Sequence, residues 1–440
     1  MKGFAVALQA GCLLLLSLCA NGANADADAA VDDSTDVLIT FSQPTMNDTS
    51  PYPYHKSISA WYETLLKVAL QRKAWPVDTY ADETDFAPIF ELLEDTYPNQ
   101  TVNELGDDEW AEPFLFKGQE LSHMADELRS NSSTQDAINY YMRAANVFRL
   151  AYFPWVHEST SQSKAKLHAW KLDKRAFKNA VELIDKYEHS KATASLGGDE
   201  TLDIPLRVFR ANGSEGALPV VVIITGLDHY HTYMLEQIST LTSYGYTVVT
   251  VAMPGTADSP ITGKDPLAED DYWTSIVDWL SYSPELFNMD CVSFWGISTG
   301  SYWAVRVSRV EKDRVRRVVS QGTASHYAFT RAWLEAAENL AYPVSLQRAL
   351  GQSFGYDDPE SFKEDVERFS LLRQGILDQD ATRLIGVNGE KDTIFPIDDQ
   401  RILAEHGPGA LLRWFPHMGH NGEPLSSPWL YAFWQQRSKC

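Results

Sequence analysis

The 440-residue chain carries 60 Asp and Glu against 37 Lys and Arg, a formal net charge of −23. That charge excludes nucleic acid as a natural partner, because phosphate contacts need clustered cations. With 44% hydrophobic and 22% charged residues the chain has the balance of a packed globular protein, and its length fits two domains.

At the N-terminus, Lys2 precedes an apolar run from Phe4 to Cys19 and the small residues Ala20 to Ala25. This order predicts a cleaved secretory signal over 1–25, since the run is too short for a comfortable membrane span. The mature chain is therefore expected to be secreted or to enter vesicles of the secretory pathway, without a transmembrane segment. Four Asn-x-Ser/Thr sequons, at Asn47, Asn99, Asn131 and Asn212, agree with glycosylation on that route. Cys12 and Cys19 leave with the signal. Cys291 reads as a buried small hydrophobe, with a disulfide to Cys440 the less favoured alternative. Residues 26–50 are acidic and aperiodic and predict a flexible leader.

From 51 to 195 the pattern is helical and predicts an N-terminal, cap-like helical domain. Candidate helices run from Ser57 to Gln71, Gly118 to Arg129, Gln135 to Tyr152 and Lys164 to Tyr187. From 196 to 440 the texture changes to β-branched runs. These are Ile204–Phe209, Leu218–Thr225, Thr247–Met253, Cys291–Trp295, Val315–Ser320, Arg383–Val387 and Leu411–Phe415. Helical segments lie between most of them, including a long one from His326 to Gln374, so the fold class is α/β with a mainly parallel sheet.

Within this second domain Phe294-Trp295 leads into Gly296-Ile297-Ser298-Thr299-Gly300, and a helix follows. A strand, a Gly-x-Ser-x-Gly turn and a helix make the nucleophile elbow of an α/β-hydrolase fold, with Ser298 as the nucleophile. The fold places an acid and then a histidine after the serine. Asp392, on the loop after the Arg383–Val387 strand, is the expected acid; Glu390, Asp398 and Asp399 are competitors read as solvated loop charges. The base lies in Phe415-Pro416-His417-Met418-Gly419-His420, where spacing leaves His417 and His420 both open. The oxyanion hole is expected from the amides of Thr299 and of Leu227 or Asp228, in Thr225-Gly226-Leu227-Asp228. Asp228 could alternatively bind a substrate hydroxyl. His229-Tyr230-His231 has a chelating spacing but no third ligand in evidence, so no metal and no cofactor are expected. Tyr230, Tyr302, His326 and Tyr327 are candidate aromatic contacts to substrate, against the competing reading of core packing.

These motifs resemble the fungal yellowish-green-type polyketide-shortening hydrolases of melanin biosynthesis. More distantly they are similar to dihydroxypseudooxynicotine hydrolase and the fermentation-respiration-switch esterases. The resemblance runs through Thr225–Asp228, Pro254–Asp258, Trp295–Gly300, Tyr302 with Ala304 and Arg306, His326-Tyr327, Asn388-Gly389 with Asp392, and Pro416–Gly419. Its Pro-His-Met-Gly pattern implies His417 as the base, with His420 the alternative. It implies hydrolysis of a carbon–carbon bond of β-diketone type in an aromatic polyketide, a small-molecule partner; a homodimer stays open. Two features depart from the pattern: Ser301, where a second glycine is usual, and the signal segment. Competing readings are a secreted carboxylesterase, lactonase or ring-closing hydrolase, and a non-catalytic hydrolase-fold binding protein.

Overall fold

The computed structural model describes residues 51–197 and 201–436. The signal segment, the leader and Asn47 lie outside the described residues. Among the described residues no helix is long and apolar enough to cross a membrane.

Helices dominate as far as residue 181: α1 (58–72), α2 (Glu83–Thr96), α3 (Asp107–Ser130), α4 (Thr134–Tyr152) and α5 (Lys164–Val181). Ser57 caps α1 by accepting the amide of Ala60, and Ser163 caps α5 by accepting that of Lys166. The expected helix from Lys164 to Tyr187 stops at Val181, and Tyr187 instead opens a strand.

That strand, β1 (Tyr187–Leu196), begins an eight-stranded sheet with β2 (Leu202–Ala211), β3 (Leu218–Ile224), β4 (Thr247–Val251), β5 (Phe287–Ile297), β6 (Arg317–Gln321), β7 (Arg383–Gly389) and β8 (Leu411–Phe415). The spatial order is β1-β2-β4-β3-β5-β6-β7-β8, with β1/β2 and β2/β4 antiparallel and every other pair parallel. Helix α6 (Leu235–Ser243) joins β3 to β4, α7 (Asp271–Ser281) precedes β5, and α8 (Gly300–Val310) follows it. The stretch from His326 to Gln374 is not one long helix. It breaks into α9 (Arg331–Ala337), α10 (Leu346–Ser353) and α11 (Pro359–Asp365), and α12 (Asp398–Glu405) and α13 (Ser426–Gln436) complete the chain.

Alternation along β3 divides the core. Val220, Val222 and Ile224 join a cluster continuous with Trp61, Phe90 and Phe153 of the helical region, while Val221 and Ile223 pack with Trp295 and Trp434 on the other face. The helical region is stitched to the catalytic half by indole and phenol donors. Trp61 donates to the Pro343 carbonyl (3.1 Å), Trp155 to that of Gly255 (2.8 Å), and Tyr233 to that of Val77 (3.1 Å). Chain order reverses between β3 and β5, so the loops leaving their carboxyl ends open a crevice there, where α/β sheets place ligands.

Cys291 is buried and disulfide-bonded, which corrects the expectation of a free apolar thiol; its partner lies outside the described residues. Asn99, Asn131 and Asn212 are all exposed.

Candidate active site

Ser298 sits between β5 and α8 with φ 53°, the left-handed region that a non-glycine residue adopts only under constraint. Two close approaches impose it. A Cβ on Gly296 would meet the Gly300 carbonyl at 2.4 Å and Ala304 at 2.5 Å, and one on Gly300 would meet the carbonyls of Ile224 and Thr225 at 2.6 and 2.5 Å. Both glycines are therefore needed for strand, turn and helix to pack. The Ser298 amide donates to the Gln321 carbonyl (2.8 Å), tying the elbow to β6.

The Ser298 hydroxyl lies 2.7 Å from His420 Nε2, and His420 Nδ1 lies 2.7 Å from Asp392 Oδ2. A carboxylate can only accept, so Nδ1 carries the proton it donates to Asp392, and Nε2 is left to accept from Ser298. Asp392 is fully buried and held from four directions. Its Oδ1 accepts the amides of Ile394 (2.8 Å) and Phe395 (3.2 Å), and its Oδ2 accepts from His420 and from the Asn388 side chain (2.8 Å). The Phe395 ring stands edge-on to the His420 ring at 5.4 Å.

The structure corrects the choice of histidine. His417 is exposed at φ 64°, in the turn that leaves β8, and among the described residues only its backbone amide is engaged, weakly, by Glu390 (3.4 Å). His420, three residues on, is carried back over the elbow. Gly389 lets this loop approach, since a Cβ there would lie 2.0 Å from the Gly419 carbonyl, and Gln321 donates to the Asn421 carbonyl at 3.1 Å. Gly322 (φ 72°) finishes the seat: a Cβ would meet Asn421 Oδ1 at 2.1 Å and the His420 ring at 2.8 Å. Gly322→Ala is accordingly expected to displace the imidazole and lower kcat by about 10²-fold, with a lower melting temperature, measurable by steady-state kinetics and calorimetry.

Of the competing acids, Glu390 is exposed as expected. Asp398 and Asp399 are buried, not solvated. Asp399 accepts the amides of His326 (2.7 Å), Tyr327 (2.6 Å) and Ala328 (2.9 Å) and so shapes the loop after β6, while burial pushes its pKa up to about 6.

Gly226 lies against the elbow, its Cβ position 3.2 Å from the Ile297 carbonyl and 3.3 Å from Ser298 Cβ, and Leu227 follows it directly. Among the described residues the amides of Leu227 and Thr299 have no acceptor, the state required of oxyanion donors before substrate arrives. The Asp228 carboxylate is nearly buried and engaged by the neighbouring His229 ring and by Trp75 Nε1 (3.4 Å), so the helical region reaches the oxyanion loop here.

Two of the expected substrate contacts are instead structural. Tyr230 is fully buried, sandwiched by Tyr152 and Trp170, and its hydroxyl braces the loop by donating to the Leu227 carbonyl at 3.1 Å. Tyr302 is packed among Trp303, Phe329 and Phe354. In both cases the ring is buried in core packing. His326 and Tyr327 are half-buried on the loop after β6, where His326 Nδ1 meets the Ser370 hydroxyl at 2.7 Å. The His231 ring packs edge-on to Trp170 and Phe177, whereas that of His229 packs on Tyr233. Ser301 is fully buried and donates to the Gly322 carbonyl (3.0 Å), so its hydroxyl secures the loop beneath His420. Composition and spacing do not single out Asn388 as a donor to Asp392 or Gly322 as the seat of His420. The Asn-Gly pair after a strand was the available sign of the first.

The family described as "Esterase FrsA-like" matches residues 108–416. Esterase FrsA of Yersinia enterocolitica is 23% identical over 302 residues, 67% of each chain. That of Photorhabdus laumondii is 21% identical over 291 residues, covering 61% of this chain and 63% of its own. The chain thus spans about two thirds of the length of the curated relatives it matches. Among solved structures, 2,6-dihydroxy-pseudo-oxynicotine hydrolase superposes with a TM-score of 0.59 at 16% identity, covering 81% of this chain and 92% of that one. AbyA5 superposes with 0.56 at 17% identity, covering 73% and 84%. At these identities the superpositions show the fold, an α/β-hydrolase.

Proposed function

Because the chain belongs to the FrsA-like esterase family and is a hydrolase, we propose that it works through an acyl-enzyme on Ser298, with His420 as general base and acid and Asp392 as the residue that orients it. The observation that carries the proposal is the unbroken hydrogen-bonded chain from Ser298 Oγ through both ring nitrogens of His420 to Asp392. Ser298 Oγ attacks a carbonyl carbon as its proton passes to His420 Nε2. The carbonyl oxygen, now an anion, is met by the amides of Leu227 and Thr299. The bond to the leaving group breaks, and His420 returns the proton to that group. A water, deprotonated by the same nitrogen, then releases the acid and restores the serine.

The more specific reading is that the bond broken joins two carbons of a β-diketone unit in an aromatic polyketide. The leaving group there is a carbanion stabilised as an enolate, and its reprotonation by His420 completes the balance. Its support is the shared motif set of the sequence, together with the fold shared with 2,6-dihydroxy-pseudo-oxynicotine hydrolase. The second reading, cleavage of an ester or lactone, is favoured by the esterase description of the family. Product analysis after incubation with aromatic β-diketones and with simple esters separates the two. A carbon–carbon fission product that disappears with Ser298→Ala upholds the first reading. Alcohol release from esters with the diketones left intact overturns it and leaves the second.

A further inference from the structure

Helix α5 and the β1/β2 hairpin border an open cleft of about 460 Å3, a size that suits a small organic ligand. Its rim is cationic in a chain whose net charge is −23. Lys171, Lys174, Arg175 and Lys178 recur at three- and four-residue steps along one face of α5, and Lys191 and Arg207 face them from β1 and β2. The three carboxylates that pair with this group are Glu158 and Asp258 on Lys174 (2.5 and 2.7 Å), Asp258 also on Arg207 (3.3 Å), and Glu182 on Lys178 (3.1 Å). Among the described residues Lys171, Arg175 and Lys191 have no ion pair, so three positive charges are left over.

Folding alone gives no reason for this arrangement. Lys191 and Arg207 are directly opposite each other in the β1/β2 register, and Lys171 with Arg175 and Lys174 with Lys178 are four apart on one helix. Like charges in both positions destabilise the elements that carry them. The floor is a different chemistry. Phe177 and Phe209 are buried beneath the rim, His189 stacks on Phe209, and the His231 ring stands edge-on to Phe177 and Trp170. The half-buried His189 ring below and unpaired cations above are complementary to a flat or chain-like apolar body that carries a negative group.

We propose that this cleft is a second binding site, separate from Ser298, for a small amphiphilic organic anion: an aromatic or aliphatic carboxylate, sulfonate or phosphate ester. The apolar body lies against the half-buried His189 ring, which covers Phe209, and the lysine stems of the rim, and the anionic group lies between Lys171, Arg175, Lys191 and Arg207. The residues lining the cleft include none of those that hydrogen-bond Ser298, His420 or Asp392.

Isothermal titration calorimetry with naphthoate, naphthamide and inorganic phosphate tests the site. Naphthoate is expected to bind one-to-one, with naphthamide (ring without charge) and phosphate (charge without ring) each weaker by about tenfold or more. The exposed-surface triple variant Lys171→Glu, Arg175→Glu, Lys191→Glu, its folding checked by circular dichroism, is expected to lose naphthoate affinity by at least about tenfold. Wild-type affinity in the folded variant overturns the site, as does naphthamide binding as tightly as naphthoate. Should the variant not fold, the wild-type protein decides: naphthoate affinity must fall as salt is raised, and an affinity indifferent to salt contradicts the proposal.

Discussion

Replacing His420 by alanine is expected to lower turnover of an activated ester by about 10⁵-fold, and replacing His417 to change it by less than about threefold. The contrast rests on geometry. Nε2 of His420 lies 2.7 Å from the nucleophile and its Nδ1 the same distance from Asp392, with Phe395 and Gly322 closing on the ring. Without that imidazole nothing nearby takes the proton of Ser298, so attack must proceed from the neutral hydroxyl. His417 is exposed and turned outwards, and alanine there removes only a surface side chain. Steady-state kinetics on both variants reads the difference directly. Comparable losses in the two, or a larger one with His417→Ala, would reverse the assignment.

The second large effect is expected from Asp392→Asn, a loss of about 10⁴-fold in kcat with the fold retained. The reason is specific to the hydrogen bonds of this site. Asp392 Oδ1 accepts two backbone amides, from Ile394 and Phe395, which cannot move without unravelling the loop. The oxygen of the new amide side chain must stay with them, so its NH2 faces His420 and the side-chain NH2 of Asn388. His420 Nδ1 must then accept instead of donate, which places the ring proton on Nε2. In that tautomer the base is already occupied on the side facing Ser298. A solvent-exposed surface change such as Glu390→Gln serves as the control. A variant at Asp392 that keeps even a tenth of wild-type kcat would contradict this account.

How much of this was legible in the sequence follows from what each feature depends on. The elbow was legible because strand, tight turn and helix are all local, and Gly296 and Gly300 are required by the turn itself. The acid was legible because chain order and a short loop after β7 leave few carboxylates. Spacing narrows the candidate base to a loop but not to a residue, and the resemblance points to His417 where the geometry favours His420. Three positions separate His417 from His420, and which one faces the elbow depends on the turn at φ 64° and on contact with Gly389 and Gly322 from other strands. Tyr230 and Tyr302 looked like substrate contacts because burial is a tertiary property, and both rings are spent on packing and on bracing the oxyanion loop. Strand β1 was hidden for a related reason. It is an edge strand with many exposed polar residues, Glu188, Ser190, Lys191 and Thr193 among them, so it lacks the apolar run that marked the central strands. Asp399 shows the reverse: an acid on a polar stretch reads as solvated, whereas it is the buried cap of the segment after β6.

The measurement that tests the central claim most directly is covalent labelling with a fluorophosphonate, read by intact mass and peptide mapping. If Ser298 is a nucleophile activated by His420, the wild-type protein takes up one label, on the peptide carrying Ser298. His417→Ala then labels at the wild-type rate, His420→Ala labels slowly, and Ser298→Ala does not label. Absence of label on the wild-type protein, or label retained by Ser298→Ala, would contradict it.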